Sequence, residues 1–215
     1  MRCSKETMLL YAVTDRAWVG EQSFYEQVES ALKGGITCLQ LREKELDGGE
    51  FLKEAQVIGK LCKKYNVTFI INDNVDIALK CGADGVHVGQ DDMKASDVRK
   101  MIGENMILGV SAHNVEEAKE AVKNGADYLG VGAVFTTSTK KNVSQMPIET
   151  LREICDSVDV PVVAIGGIKK SNISKLNGSG VDGVALVSAI FSAEDIEDEC
   201  ITLKKLSEEM VNSSK

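Results

Sequence analysis

Short, almost unbroken apolar runs punctuate this chain, and between them apolar positions recur every three or four residues. The runs lie near Leu9–Thr14, Cys38–Leu41, Thr68–Ile71, Gly85–Val88, Ile107–Val110, Tyr128–Val131, Pro161–Ile165 and Gly183–Val187. Most are rich in Val and Ile without polar alternation, as expected of parallel strands covered on both faces. Amphipathic helical patterns alternate with them, among them Phe24–Lys33, Phe51–Lys64, Val115–Lys123 and Ile148–Cys155. Eight strand-helix units joined by right-handed crossovers predict one α/β domain over residues 1–215, a (β/α)₈ TIM barrel. An open doubly wound sheet is the alternative. The polar stretch from about Ser207 reads as the fraying end of the last helix.

A repeat supports the barrel. Ala31-Leu32-Lys33-Gly34-Gly35, Ala78-Leu79-Lys80-Cys81-Gly82, Ala121-Val122-Lys123-Asn124-Gly125 and Lys175-Leu176-Asn177-Gly178-Ser179-Gly180 resemble one another, and each closes a helical pattern just before a strand. Their spacing is about twice a compact strand-helix unit, so the repeat marks every second unit. The closing glycines suit helix C-caps at the bottom of a barrel. Gly82-Ala83-Asp84-Gly85, Gly125-Ala126-Asp127 and Gly180-Val181-Asp182-Gly183 then read as stabilising turns rather than catalytic ones.

Composition narrows the function. The chain has 215 residues, of which 43% are hydrophobic, with 25 Lys and Arg against 33 Asp and Glu. It has ample core, and no basic run for a nucleic-acid backbone or an anionic membrane. The six cysteines form no Cys-x-x-Cys pair, and the first residues fit neither a signal peptide nor a membrane span. These features predict a cytoplasmic protein with reduced thiols.

Polar residues collect at the C-terminal ends of the strands, the face from which barrels work. Gly166-Gly167 after strand seven and Val187-Ser188 at the end of strand eight stand where barrels commonly hold phosphate, and Thr137, Ser138 and Thr139 add hydroxyls from the sixth loop. Arg42, Lys44 and Lys140 could converge on a second, more highly charged group such as a diphosphate. Asp73 and Asp92 end adjacent strands, where two carboxylates call for a cation, and Mg²⁺ suits such oxygens. Asp91 is the better candidate for a helix cap. His87 and His113 lack the partners for zinc, which leaves them structural or supporting. Cys38 has no base beside it, so positioning and electrostatics, not a thiol nucleophile, should carry the chemistry.

These motifs resemble the thiamine phosphate synthase family along nearly the whole chain. They are Tyr11 to Arg16, Gln40 to Lys44, Ile71-Asn72-Asp73, Gly85 to Asp92, Gly109 to His113, Thr137 to Lys140, Ala164 to Ile168 and Val187-Ser188. The resemblance implies condensation of 4-amino-2-methyl-5-(diphosphooxymethyl)pyrimidine with a thiazole phosphate, releasing diphosphate. It implies that Gln40, Leu41, Arg42, Glu43, Lys44, Asn72, Ser111 and Lys140 bind the pyrimidine diphosphate, with Arg42, Lys44, Ser111 and Lys140 catalytic. Asp73 and Asp92 would hold one Mg²⁺, and Thr137, Ser138, Thr139, Gly167, Val187 and Ser188 would take the thiazole phosphate. Partners are then two phosphorylated small molecules, with a homo-oligomer left open. Trp18, Thr136 to Lys141 and Asp47-Gly48-Gly49 are candidates for a lid. One departure is Thr136, where the family usually has proline.

Two other readings compete. A barrel of this family that has lost activity would have lost its diphosphate and metal residues, which this chain retains. A different phosphate-binding barrel enzyme would need an acid-base pair at the strand ends, and none stands out besides the proposed metal ligands.

Overall fold

A computed structural model describes residues 3–136 and 145–213. Eight parallel strands close into a barrel in chain order: β1 Leu10–Val13, β2 Cys38–Leu41, β3 Thr68–Asn72, β4 Gly85–Val88, β5 Ile107–Ala112, β6 Tyr128–Gly132, β7 Val162–Ile165 and β8 Gly183–Leu186. The open sheet is thereby excluded, since β1 pairs with both β2 and β8. Around the barrel lie α1 Phe24–Lys33, α2 Gly48–Tyr65, α3 Val75–Cys81, α4 Ala95–Ile102, α5 Val115–Lys123, α6 Ile148–Ser157, the short α7 Ser188–Phe191 and α8 Ile196–Asn212. A 3₁₀ turn, Ile173–Leu176, takes the place of the helix between β7 and β8.

Period-two alternation divides each strand between two cores. Outward residues such as Ala12, Leu39, Leu41, Ile71, Val86, Leu108 and Leu129 join the helices in the larger core. Inward residues Tyr11, Val13, Cys38, Ile70, Ile107, Tyr128, Val163 and Ala185 fill the barrel, closed from below by Cys3 and Met8.

The repeat has a physical cause. Asp84 N donates to Phe69 O at 2.9 Å while Asp84 Oδ2 accepts from Phe69 N at 2.8 Å. Asp127 makes the same two-way bond with Leu108, and Asp182 with Val162. Thr37 does this for Leu10 with its hydroxyl. The residue entering each even strand thus fastens the start of the odd strand before it, as the stabilising reading of these turns requires.

Three expectations need correction. Gly35 and Gly125 lie one residue beyond the caps Gly34 and Asn124, although both have the positive φ that a left-handed turn needs. The helix does not loosen at Ser207: α8 runs to Asn212 with Ser207 and Met210 buried and Ser207 Oγ donating to Leu203 O. Asp47-Gly48-Gly49 is no lid loop: Asp47 accepts from Gly49 N and Glu50 N and opens α2 three residues earlier than periodicity suggests. No described helix is long and apolar enough to cross a membrane.

Candidate active site

A cavity of about 500 Å³ opens at the C-terminal mouth of the barrel. Its floor is the inward face of the strands and its walls are the loops that follow them. Inward parity puts Gln40, Asn72 and Ser111 at the ends of β2, β3 and β5, and all three line the cavity. Arg42, Lys44, Asp73, Asp92, Gly167, Val187 and Ser188 line it too. Leu41 and Glu43 do not. Leu41 faces outward and is fully buried against the helices, and the Glu43 carboxylate turns away to Arg16. Thr137, Ser138, Thr139 and Lys140 lie outside the described residues.

The second loop is braced from behind. Arg42 N donates to Thr14 Oγ1 at 3.0 Å, and the Arg42 guanidinium lies 3.6 Å from Asp15 Oδ2. Arg16 reaches Glu43 Oε2 at 2.5 Å and also bonds Glu54 Oε2 on α2. Glu43 Oε1 in turn accepts from the backbone N–H groups of Lys44 and Glu45. Burial pushes both carboxyls up and Arg16 draws both down; the net result holds Glu43 below and Glu54 above the usual carboxylate range.

Lys44 extends into the mouth and pairs with Asp73 Oδ2 at 2.7 Å; Asn72 Nδ2 donates to the same oxygen at 2.6 Å. Asp73 has a φ of 60°, a conformation that non-glycine residues seldom hold without support. Its N–H bonds His87 O at 2.8 Å, which supplies that support. Asp92 Oδ2 accepts from Gly89 N at 2.8 Å within a tight turn. Neither Asp91 nor Asp92 caps α4, whose N-cap is Lys94 with no side-chain bond. Among the described residues no three His, Cys, Asp or Glu side chains are grouped to hold a metal by themselves. Asp73 and Asp92 offer a set of carboxylate oxygens that a hard ion could share with substrate oxygens and water.

Across the mouth, Gly166 and Gly167 follow β7, both with positive φ. A Cβ on Gly167 would collide with the carbonyl of Thr136, so only glycine lets these two loops touch. Asn172 Nδ2 donates to Gly167 O at 3.0 Å and fixes the turn. Val187 and Ser188 follow β8, where the first amides of α7 have no intrahelical acceptor.

The residues on the floor of the cavity form a row of hydrogen bonds that sequence reasoning missed. Gln40 Nε2 donates to Tyr11 OH at 2.7 Å, Tyr11 OH lies 2.7 Å from Tyr128 OH, and Tyr128 OH lies 2.9 Å from His87 Nδ1. His87 Nε2 is 3.0 Å from Ser111 Oγ. Gly109 and Gly130 make room, since a Cβ on the first would strike the Tyr128 ring and on the second would crowd His87. His87 thus bridges Tyr128 and Ser111. His113, at the rim, bonds Glu117 at 2.8 Å. Inward parity of Tyr11 and Tyr128 was the available signal, but both read as apolar filler.

Cations and carboxylates on one side of a barrel mouth and a glycine turn on the other define a phosphate-handling barrel enzyme. The chain matches the family described as thiamine monophosphate synthase over residues 10–190, and it belongs to that family. It is 53% identical to the thiamine-phosphate synthase of Clostridioides difficile over 195 residues, covering 91% of this chain and 93% of the relative. It is 50% identical to that of Methanobrevibacter smithii, covering 86% and 88%. The structure is similar to that of thiamine phosphate pyrophosphorylase from Pyrococcus furiosus, with a TM-score of 0.87, 40% identity, and coverage of 96% and 98%. The activity is that of a thiamine-phosphate synthase, a transferase of thiamine biosynthesis.

Proposed function

We propose that the cavity joins 4-amino-2-methyl-5-(diphosphooxymethyl)pyrimidine to 4-methyl-5-(2-phosphooxyethyl)thiazole by departure of diphosphate and capture of a pyrimidine-methyl cation by the thiazole nitrogen. The observation that carries this is the sharing of one cavity by two unlike anion sites, Arg42 and Lys44 with the carboxylates on one side and Gly167 with Val187-Ser188 on the other.

In this reading Gln40, Asn72 and Ser111 hold the pyrimidine, while Arg42 and Lys44 take the diphosphate with Lys140. Asp73 and Asp92 hold Mg²⁺, which when bound offsets charge on the diphosphate. Gly167, Val187 and Ser188 receive the thiazole phosphate with Thr137, Ser138 and Thr139. Leu41 and Glu43 serve from behind, by packing β2 and by setting the course of the second loop. Cys38 is unsuited to attack, since it is fully buried and burial pushes its thiol far up. The residues that remain act by charge, orientation and exclusion of water.

The chain then works on two small molecules, without nucleic acid or membrane. Its six unpaired cysteines support a cytoplasmic place. Purified protein given both substrates and Mg²⁺ should release diphosphate and thiamine phosphate in equal amounts. Binding of both substrates without product would overturn the reading. Asp92→Ala should cut Mg²⁺-dependent turnover far more than thiazole-phosphate binding; equal loss of both would make Asp92 structural.

A further inference from the structure

Donors from two loops converge on one carboxylate oxygen at the mouth. Lys44 Nζ lies 2.7 Å and Asn72 Nδ2 2.6 Å from Asp73 Oδ2, so this oxygen is engaged before any ligand arrives. Asp92 is partly engaged as well, since its Oδ2 accepts from Gly89 N at 2.8 Å. Among the described residues no further acidic, His or Cys side chain joins these two to complete a metal site. A divalent ion arriving alone therefore meets two carboxylates, one of them already neutralised by an ammonium. Whichever Asp73 oxygen the ion takes, that ammonium is its close neighbour, and two cations on one partly exposed carboxylate repel. Arg42 stands differently. Its guanidinium lies 3.6 Å from Asp15 Oδ2, and the other oxygen of Asp15 accepts from Ala17 N. Asp15 is claimed by no ligand, whereas Asp73 is claimed by both Lys44 and the metal.

We infer that Lys44 is a specificity-determining residue that makes the site take its metal together with diphosphate and not as the free ion. The inference rests on the assignment of Lys44 to diphosphate and of Asp73 and Asp92 to Mg²⁺. In the free protein Lys44 serves as the counter-ion of Asp73 and occupies the place of a metal charge. When diphosphate enters, Lys44 exchanges the carboxylate for phosphoryl oxygens, a partner of higher charge, and Asp73 is left to the metal. Asn72 Nδ2 is released by the same exchange and becomes available to the pyrimidine. Metal and diphosphate then strengthen each other's binding by one and the same factor. Lys44 thereby keeps the mouth from filling with an ion that has no leaving group to neutralise.

Mn²⁺ serves as the probe, because its electron paramagnetic resonance signal counts the free ion. At low ionic strength Lys44→Met should bind Mn²⁺ alone about tenfold more tightly than the unmodified protein, and should bind Mn²⁺ with inorganic diphosphate about tenfold more weakly, within the usual range for coupled sites. Lys44→Arg keeps the charge and should bind Mn²⁺ alone as the unmodified protein does. Asp73→Asn added to Lys44→Met should cancel the gain. The opposite signs are the signature. An unchanged affinity for Mn²⁺ alone in Lys44→Met would leave Lys44 a diphosphate contact only, and weaker binding of both probes would make it structural; either result overturns the inference. No Mn²⁺ bound by any of these proteins, with or without diphosphate, would overturn it together with the metal ligands. Failure of the unmodified protein to form thiamine phosphate while the two signs hold would instead count against the proposed function.

Discussion

Lys44 Nζ and Asp73 Oδ2 lie 2.7 Å apart, though 29 residues separate them, and they tie the loop after β2 to the loop after β3. In the proposed function each has a charged partner of opposite sign, the lysine the diphosphate anion and the aspartate the Mg²⁺ cation. Without ligand they neutralise one another and keep both groups at the mouth. Lys44 is half-exposed, so the pair contributes little to stability, about 0 to 1 kcal/mol. The proposed function puts its value in catalysis. Lys44→Met should therefore leave the unfolding midpoint nearly unchanged while kcat falls by roughly 10²-fold or more, the usual loss of one charge aimed at a transition state. Steady-state rates and urea unfolding on the same preparation test this, and a variant that loses both together would mean that Lys44 is structural.

The fastening aspartates on the opposite face should behave in the reverse way. Asp127 holds Leu108 N at 2.9 Å and receives Arg99 at 2.6 Å. Asp127→Ala strips both bonds from a half-buried site, and destabilisation of about 2–3 kcal/mol is expected. Below its melting temperature the variant should keep kcat and both KM values, since the bottom of a barrel supports the fold and the top carries the chemistry. A marked change in kcat with stability preserved would place Asp127 in a coupling role.

Why the barrel was legible and part of its site was not follows from the same geometry. Strands covered on both faces must be apolar throughout, so β3 and β7 show in the sequence as Thr68-Phe69-Ile70-Ile71 and Val162-Val163-Ala164-Ile165. Strand ends that line a mouth must turn polar, which exposed Gln40, Asn72 and Ser111. Loop side chains obey no period: nothing in Arg42-Glu43-Lys44 shows that the middle residue turns back to Arg16 while its neighbours face the cavity. Tyr11 and Tyr128 look like core, because sequence gives no sign that their hydroxyls meet across the barrel, 117 positions apart. Asp47-Gly48-Gly49 reads as a loop in sequence, although Asp47 caps α2 and both glycines lie within it.

Arg16 should govern how stability depends on pH. Glu43, held below its ordinary pKa, adds stability above about pH 4.3, and that is lost as pH falls through its folded value. Glu54, held above, adds stability that is present below about pH 4.3 and is lost as pH rises through its folded value. With Arg16 in place the two slopes oppose each other. In Arg16→Met, burial and mutual repulsion are opposed only at Glu43, by the N–H groups of Lys44 and Glu45, so both carboxyls move up from where Arg16 held them and the variant should be less stable at pH 7 than at pH 4 relative to the unmodified chain. The deficit at pH 7 should be about 3 kcal/mol, that of breaking a buried pair from one side. Urea unfolding at the two pH values measures it; an equal deficit at both would refute the role given to Arg16.

Gly167 separates a backbone requirement from a steric one. Its φ is +65°, and a Cβ there would also run into the carbonyl oxygens of Thr136 and Phe135. Gly178 has a similar φ, +73°, with nothing within 4 Å of a built Cβ. Gly178→Ala should therefore cost about 1 kcal/mol of stability through backbone strain alone, with kinetics unchanged. Gly167→Ala should bear the same strain and in addition push the sixth loop away from the seventh, where the thiazole phosphate is assigned. KM for thiazole phosphate should rise about tenfold or more, while binding of the aminopyrimidine diphosphate, assigned to the other side of the cavity, stays within about twofold. Calorimetry with each substrate alone separates these effects. If Gly167→Ala weakened both ligands equally, the division of the mouth into two anion sites would fail, and with it the assignment of Gly167, Val187 and Ser188 to the nucleophile.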